Sequence, residues 1–151
     1  MLTLLPYPSF KQSAKVLFNN ELTDQLKTVD RILNVLHRVD ADISGWNNSP
    51  GVLMWEGFES QLCTYGIYLA DNIKTRDLTQ SVLIDLNTVE SSIIWHLECT
   101  GDIGSTDQPK WFGEEKLHLS HQSELIRINA EYRSVFPYVP TDVPIVWPES
   151  L

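Results

Sequence analysis

Apolar residues recur every three or four positions along most of this chain, and this spacing constrains its fold more than any other feature. One series runs Leu22, Leu26, Val29, Leu33 and Leu36. Residues three and four apart share one face of an α-helix, so the series predicts an amphipathic helix. No stretch alternates apolar and polar residues for long enough to predict a β-sheet. We therefore expect an all-α fold.

Local sequence signals set the expected boundaries of the first two helices. Ser9 is followed three residues later by Gln12, as in a capping box, so a helix is expected to begin there. Two consecutive asparagines then interrupt the apolar pattern. The sequence predicts a short helix near 10–18 and a longer one near 20–38.

The next apolar stripe begins after Ser49 and Pro50, a pair that is typical of a helix start. Its members are Val52, Trp55, Phe58, Leu62, Tyr65, Leu69 and Ile73. Gly57 and Gly66 fall within this helix, where each costs about 1 kcal/mol relative to Ala. Close approach of another helix or of a ligand is the expected reason for their presence.

The second half of the chain predicts two more helices and an extended tail. Residues 79–98 have the helical pattern of a core helix, or equally of a subunit contact. Another helix is expected after Gly113. Four prolines in the last segment predict an extended tail, and four side chains are expected to pin it: Phe136, Tyr138, Ile145 and Trp147. Residues 1–151 then form a single-domain bundle of about four to six helices.

The charge balance disfavours DNA as a partner. Acidic residues outnumber basic ones by 20 to 11, the net charge is −9, and the basic residues are scattered. Non-specific nucleic-acid binding depends on clustered Lys and Arg that displace counterions. An acidic body with a locally positive cleft is still compatible with this composition. A nucleotide-like small molecule, or a protein partner for the acidic surface, are the other ligand classes that we consider.

Cysteine usage and hydropathy indicate the compartment. Cys63 and Cys99 lie 36 positions apart without a CxxC spacing, as expected of reduced thiols. The chain has no signal-peptide pattern and no apolar run near the ~20 residues that a membrane span requires. We expect a cytoplasmic protein without a membrane partner.

Two histidines in the segment LHLSHQ are the first candidate site. His118 and His121 are three apart and share one helix face. A zinc site needs a third ligand, and the spacing lacks the glutamate of HExxH. Ser120 lies between them, but no GxSxG motif surrounds it. We expect no metal and no cofactor, and interpret the three side chains as pocket-lining or structural polar groups.

Tryptophans and carboxylates provide further candidates. Four tryptophans lie beside turn signals, where they either line a pocket or seal loops onto the core: Trp46, Trp55, Trp111 and Trp147. Glu56 and Glu59 are three apart beside an aromatic residue. A carboxylate in an aromatic wall suits acid–base chemistry, and a solvated helix face is the alternative.

Four stretches, taken together, resemble one family. They are TLLPYPSFKQSAKVL (3–17), GWNNSPGVLMWEGFE (45–59), PKWFGEEKLHLSHQSELIR (109–127) and VPTDVPIVWPE (139–149). In this order they are similar to the pyrimidine dimer DNA glycosylases of the phage endonuclease V type, in a small bacterial and phage branch. Residues 74–108 do not take part in the resemblance.

The resemblance implies an all-α DNA-repair glycosylase with coupled lyase activity on damaged or modified pyrimidines. The N-terminal amine, here of Met1, would attack the sugar C1′ and form a Schiff base, assisted by a glutamate on the first long helix. The expected position of that acid is Thr28 in this chain, so Glu21, Asp24 or Glu59 would have to substitute, and we favour Glu21 or Glu59. The pocket that it implies comprises Asn48, Trp55, Trp111, His118, Ser120, His121, Arg127 and Trp147.

The chain departs from the family at positions that handle DNA. Relatives carry Lys-Gln-Arg-x-Glu on the first long helix, where this chain has Asp24 to Thr28 with only Gln25 retained. The arginine is replaced by Leu26 and the acid by Thr28. A non-catalytic binding module of the same fold is therefore the alternative function. An oligomerising structural protein that uses the aromatic tail is a third.

Overall fold

The computed structural model describes residues 3–39, 49–100 and 108–148. All regular secondary structure within these ranges is helical, and the ranges contain no strand. The α-helices are α1 (Phe10–Val16), α2 (Asn19–Leu36), α3 (Pro50–Leu53), α4 (Glu59–Lys74), α5 (Gln80–Thr100) and α6 (Glu115–Ile128), followed by a 3-10 helix (Ala130–Ser134). The expected all-α bundle is confirmed.

The first two helices begin and end where the local signals predicted, within two residues. The Ser9 hydroxyl accepts a hydrogen bond from the Gln12 amide at 3.2 Å, which caps the start of α1. α2 ends at Leu36, and two residues later Arg38 adopts a left-handed conformation with φ +58°. A residue in this conformation cannot continue a right-handed helix, so the chain turns away there.

The stripe from 52 to 73 is two helices rather than the single one that we expected. Gly57 has φ +84°, a left-handed conformation that glycine adopts without strain, and it separates α3 from α4. Gly66 does lie in the helix interior, and its expected close approach is confirmed. A Cβ there would lie 3.0 Å from Val29 Cγ1 and 3.1 Å from Ile93 Cδ1, so glycine allows α4 to pack closely against α2 and α5.

The central helix of the bundle is α2. It packs against α4 and α5, while α1 packs against α4 and α6 packs against the 3-10 helix. Residues 3–6 precede α1 as a buried extended segment, which we call the N-terminal segment. Its Leu4 and Leu5 side chains belong to the same hydrophobic core as the helices. The first residues of the described chain are therefore part of the core.

The longest helix, α5, packs on α2 and α4 through one face only. Within it, just Leu86, Ile93 and His96 are buried. It is a core helix on that side, while its opposite face is exposed. Across the three described ranges, no helix combines the length and apolarity needed to cross a membrane.

The C-terminal tail is extended, as expected, but it is fastened mainly by polar contacts. The Arg127 guanidinium donates to the carbonyls of Thr141 and Val143 at 2.8 and 2.7 Å. Phe136 is buried, whereas Tyr138 is 94% exposed. The prediction that Tyr138 pins the tail is wrong, because backbone carbonyls held by arginine keep the tail in place without it.

Candidate functional site

The two histidines of the LHLSHQ segment hold the N-terminal segment through a single residue. His118 Nδ1 donates to the Leu5 carbonyl at 2.7 Å, and His121 Nδ1 accepts from the Leu5 amide at 2.9 Å. His118 Nε2 accepts from the Gly113 amide at 2.9 Å. These partners require a neutral ring at both positions, with the proton on Nδ1 of His118 and on Nε2 of His121.

Burial enforces the neutral state of both rings. It lowers the pKa of His121 to about 3, with the neighbouring His118 adding to the effect. It also lowers the pKa of His118. His121 Nε2 is buried without a hydrogen-bond partner among the described residues. Within those residues no group of three or more His, Cys, Asp or Glu side chains is placed to hold a metal ion.

Three other predicted pocket residues lie in the same buried layer. Trp55 Nε1 donates to Thr3 Oγ1 at 2.9 Å, and Trp111 Nε1 donates to the Met54 carbonyl at 3.1 Å. The two indole rings meet edge to face at 5.0 Å. The Ser120 hydroxyl donates to a carbonyl within α6 and accepts from the tail. These side chains bond to the protein itself and seal the N-terminal segment beneath α6.

The remaining predicted pocket residues are divided between the tail and the undescribed ranges. Arg127 holds the tail and the carboxylate of Glu124. Trp147 is partly buried against the core. Met1 and Asn48, like the tryptophan at 46, lie outside the described residues.

A separate cleft of about 510 Å³ lies where α2, α6 and the N-terminal segment meet. It is lined by Leu4, Glu21, Asp24, Gln25, Lys27, Thr28, Arg31, Glu124 and Ile128. Among the predicted site residues that the structure describes, Glu21 alone lines this cleft. Glu59 does not: it begins α4, where its Oε1 accepts from the Gly57 amide at 3.1 Å.

Helical spacing on α2 builds one wall of the cleft. Glu21, Asp24, Thr28 and Arg31 follow each other in steps of three, four and three, which places them on one face of the helix. The Leu4 amide donates to Gln25 Oε1 at 2.7 Å and ties the N-terminal segment to this face. The spacing was present in the sequence, but the proximity of Leu4 is a tertiary contact that no local pattern shows.

Glu21 is the least satisfied polar group of the cleft. Its Oε1 is buried and has no hydrogen-bond partner within the described ranges. The neighbouring Tyr132 hydroxyl accepts from the Phe18 amide at 2.7 Å. Burial raises the pKa of Tyr132, and a hydrogen bond with the Glu21 carboxylate adds to the effect. The carboxylate therefore has one interior oxygen, lies beside the Tyr132 hydroxyl, and belongs to a side chain that lines the cleft.

The rim of the cleft carries the available positive charge. Lys27 and Arg31 are exposed, four residues apart on α2, and neither forms an ion pair within the described part of the chain. Thr28, which lies between them in sequence, is buried, and its hydroxyl donates to the Asp24 carbonyl at 2.9 Å. The cleft therefore combines an inner carboxylate with an outer cationic pair.

Comparison with known proteins adds no further constraint. No family model matches the chain, and no curated protein or solved structure is significantly similar to it. The cleft and the four sequence stretches are therefore the features of the chain that bear on its function.

Proposed function

We propose that this protein is a DNA glycosylase with coupled lyase activity, and that it acts on a damaged or modified pyrimidine at the cleft of α2 and α6. The observation that carries the proposal is the acidic Glu21 side chain, which lines the same cleft as Leu4. Leu4 is three residues from Met1, and three extended residues span at most about 11 Å. An amine at Met1 is thus tethered within reach of the cleft.

The reaction requires an amine nucleophile and a carboxylate. The neutral α-amine of Met1 attacks the sugar C1′, a C–N bond forms, and the C1′–N1 bond to the pyrimidine breaks, with the base leaving as its protonated form. The nitrogen then loses one proton, the C1′–O4′ bond breaks with protonation of O4′, and the nitrogen lone pair forms the C=N bond of the Schiff base. The Glu21 carboxylate accepts protons and stabilises the positive charge that develops on the sugar. Loss of the C2′ proton then expels the 3′-phosphate.

Side chains of α2 would supply both the phosphate contacts and the carboxylate. We propose that Lys27 and Arg31 at the rim contact the phosphates as the flipped nucleotide enters. Thr28 stands where the resemblance implies an acid, but its hydroxyl is bonded to the Asp24 carbonyl. Glu21 lies seven residues earlier on the same face, about 10.5 Å along the helix. We infer that the carboxylate function has moved to Glu21.

Borohydride trapping tests this proposal. The protein is incubated with duplexes that contain an abasic site or a cyclobutane pyrimidine dimer and is then reduced, which converts the Schiff base to a stable secondary amine. We expect a covalent adduct that is lost when residues are added before Met1. Glu21→Gln is expected to slow adduct formation by about 100-fold, the low end of the effect of general acid–base catalysis. Glu115→Gln, a substitution of an exposed carboxylate on α6, is the matched control and is expected to trap at the unmodified rate.

The outcomes separate the candidates for the helper acid. Loss of trapping in Glu59→Gln with retention in Glu21→Gln would move the role to Glu59. Absence of an adduct on both duplexes, with a correctly folded protein at low salt, would contradict the enzymatic proposal.

A non-catalytic nucleotide-binding module is the second candidate, and the charge of the cleft favours it. Glu21, Asp24 and Glu124 outnumber Lys27 and Arg31 in the lining, so a long polyanion is repelled where a single nucleotide is tolerated.

Calorimetric titration with thymidine monophosphate tests the second candidate. Under this alternative, Lys27→Ala and Arg31→Ala are each expected to weaken binding by about tenfold, the effect of one charged hydrogen bond. Lys11→Ala, on the exposed face of α1, is expected to leave binding unchanged. Equal affinity in all three variants would contradict phosphate recognition at this rim.

A further inference from the structure

The exposed face of α5 carries a seam with heptad spacing that is apolar at both ends and small and polar at its centre. Ile84, Thr88, Ser91 and Trp95 follow each other in steps of four, three and four, which is the spacing of the contact positions of a coiled coil. Ile84 is 56% exposed and Trp95 is 49% exposed. The buried residues of α5 lie on the opposite side of the helix. The seam, which we define as these four residues, has no partner within the described chain.

The two polar members of the seam are already satisfied. Thr88 Oγ1 donates to the Ile84 carbonyl at 3.4 Å, and Ser91 Oγ donates to the Asn87 carbonyl at 3.0 Å. Because their hydroxyl donors are bonded to their own helix, covering them removes little hydrogen bonding with water. Their small size also permits close approach of another helix. The centre of the seam can therefore be buried at low cost.

The charge on α5 selects the class of partner. The helix contains three acidic residues, Asp85, Glu90 and Glu98, and no basic residue. Glu90 is turned towards Lys74 of α4, with which it pairs at 2.8 Å. A helix without Lys or Arg attracts neither nucleic acid nor anionic lipid. The partner must present an apolar seam of its own without acids in register.

A second copy of this chain meets that requirement, because the seam is symmetric in sequence. In an antiparallel pair with its two-fold axis between Val89 and Glu90, Ile84 lies opposite Trp95 of the second copy, and Thr88 lies opposite Ser91. The same register places Asp85 opposite Ile94 and Glu98 opposite Ser81 of the second copy. No carboxylate therefore opposes another, which matters for two bodies that each carry a charge of −9.

We propose that the protein is a homodimer in which the α5 seams of two copies pack antiparallel across a two-fold axis. The interface is isologous, which means that both copies contribute the same surface. α5 is about 31 Å long, so the interface consists of a single helix–helix contact. Its buried area is at the small end of the range for stable interfaces. Dissociation in the micromolar range is therefore expected, with the cleft of each subunit independent of the pairing.

Sedimentation velocity between about 1 and 200 µM tests the pairing. We expect the mass to rise with concentration from 17.3 kDa towards twice that value. Trp95→Glu is expected to remain monomeric throughout, because it buries a carboxylate against Ile84 of the second copy. Tyr138→Glu, a matched substitution at an exposed aromatic residue outside α5, is expected to dimerise like the unmodified protein. A monomer at all concentrations, or equal effects of the two variants, would overturn the proposal.

Cross-linking tests the register. In a Cys99→Ser background, Ser81→Cys and Glu98→Cys proteins with different tags are mixed and treated with a short bis-maleimide. Antiparallel packing predicts cross-links only between the two different variants, since equal positions lie about 25 Å apart. Cross-links between two Ser81→Cys copies would indicate parallel packing and would contradict the proposed axis.

Discussion

The free energy of unfolding is expected to fall by about 2 kcal/mol between pH 7 and pH 5 through His121 alone. Burial holds the pKa of this side chain at about 3 in the folded protein, whereas an exposed histidine titrates near 6.5. The unfolded chain therefore takes up the proton first as the pH falls. The stabilisation is complete above about pH 6.5 and is lost progressively towards pH 3. His96, whose pKa burial and His37 lower to about 4, adds to the loss in the same direction.

Urea unfolding at pH 7 and pH 5 measures this effect, and His121→Asn is the matched variant. The Asn Oδ1 can accept the Leu5 amide as His121 Nδ1 does, but it does not titrate in this range. We expect the variant to lose about 2 kcal/mol less than the unmodified protein between the two pH values. An identical pH dependence in both proteins would show that His121 does not carry the acid sensitivity.

Replacement of Trp55 by Ala is expected to cost about 3–5 kcal/mol of folding free energy. The side chain is fully buried, its ring packs at 5.0 Å from that of Trp111, and its Nε1 holds Thr3. The cavity left by truncation would also release the N-terminal segment. Denaturation followed by far-UV circular dichroism gives the free energy without relying on tryptophan emission.

Two controls distinguish a structural Trp55 from one that lines a ligand pocket. Trp55→Phe keeps most of the ring but loses the bond to Thr3, so a smaller loss of about 1–2 kcal/mol is expected. Trp147→Ala, a truncation of a partly exposed ring in the tail, is expected to cost about 1 kcal/mol. If Trp55→Ala left stability unchanged while weakening ligand binding, the pocket interpretation of this residue would be correct instead.

The helices followed from the sequence because their causes are local. The period of α2, the cap at Ser9 and the proline at position 50 each act within a few residues. The break at Gly57 was missed because an apolar stripe can continue across two helices that pack on the same core. A glycine in an apolar stripe can either end a helix or allow another helix to pack closely. Only the structure shows that Gly57 has the first role and Gly66 the second.

The candidate site was only partly predictable, because a cleft is produced by packing. Glu21 was named only as a substitute for the acid that the resemblance implies at Thr28, and Lys27, Arg31 and Glu124 were not predicted. Their roles depend on α6 and the N-terminal segment meeting α2, which are contacts between distant parts of the chain. The buried histidines and tryptophans were predicted to be either pocket-lining or structural side chains. The N-terminal segment is buried but not helical, so its backbone polar groups need partners from side chains. His118 and His121 supply these hydrogen bonds at Leu5, and Trp55 bonds to the side chain of Thr3.

The contact between Leu5 and His121 spans 116 residues, and this separation sets an order of events during synthesis. At about 5–20 residues per second, a ribosome produces His121 about 6 to 23 s after Leu5. For that interval Leu4 and Leu5 are apolar residues on a nascent chain without their final binding site. The helices α1 to α5 can associate beforehand, but Leu4 and Leu5, which are made before these helices, are buried after them. Both the cleft and the buried layer beneath α6 are therefore assembled only after α6 has been synthesised.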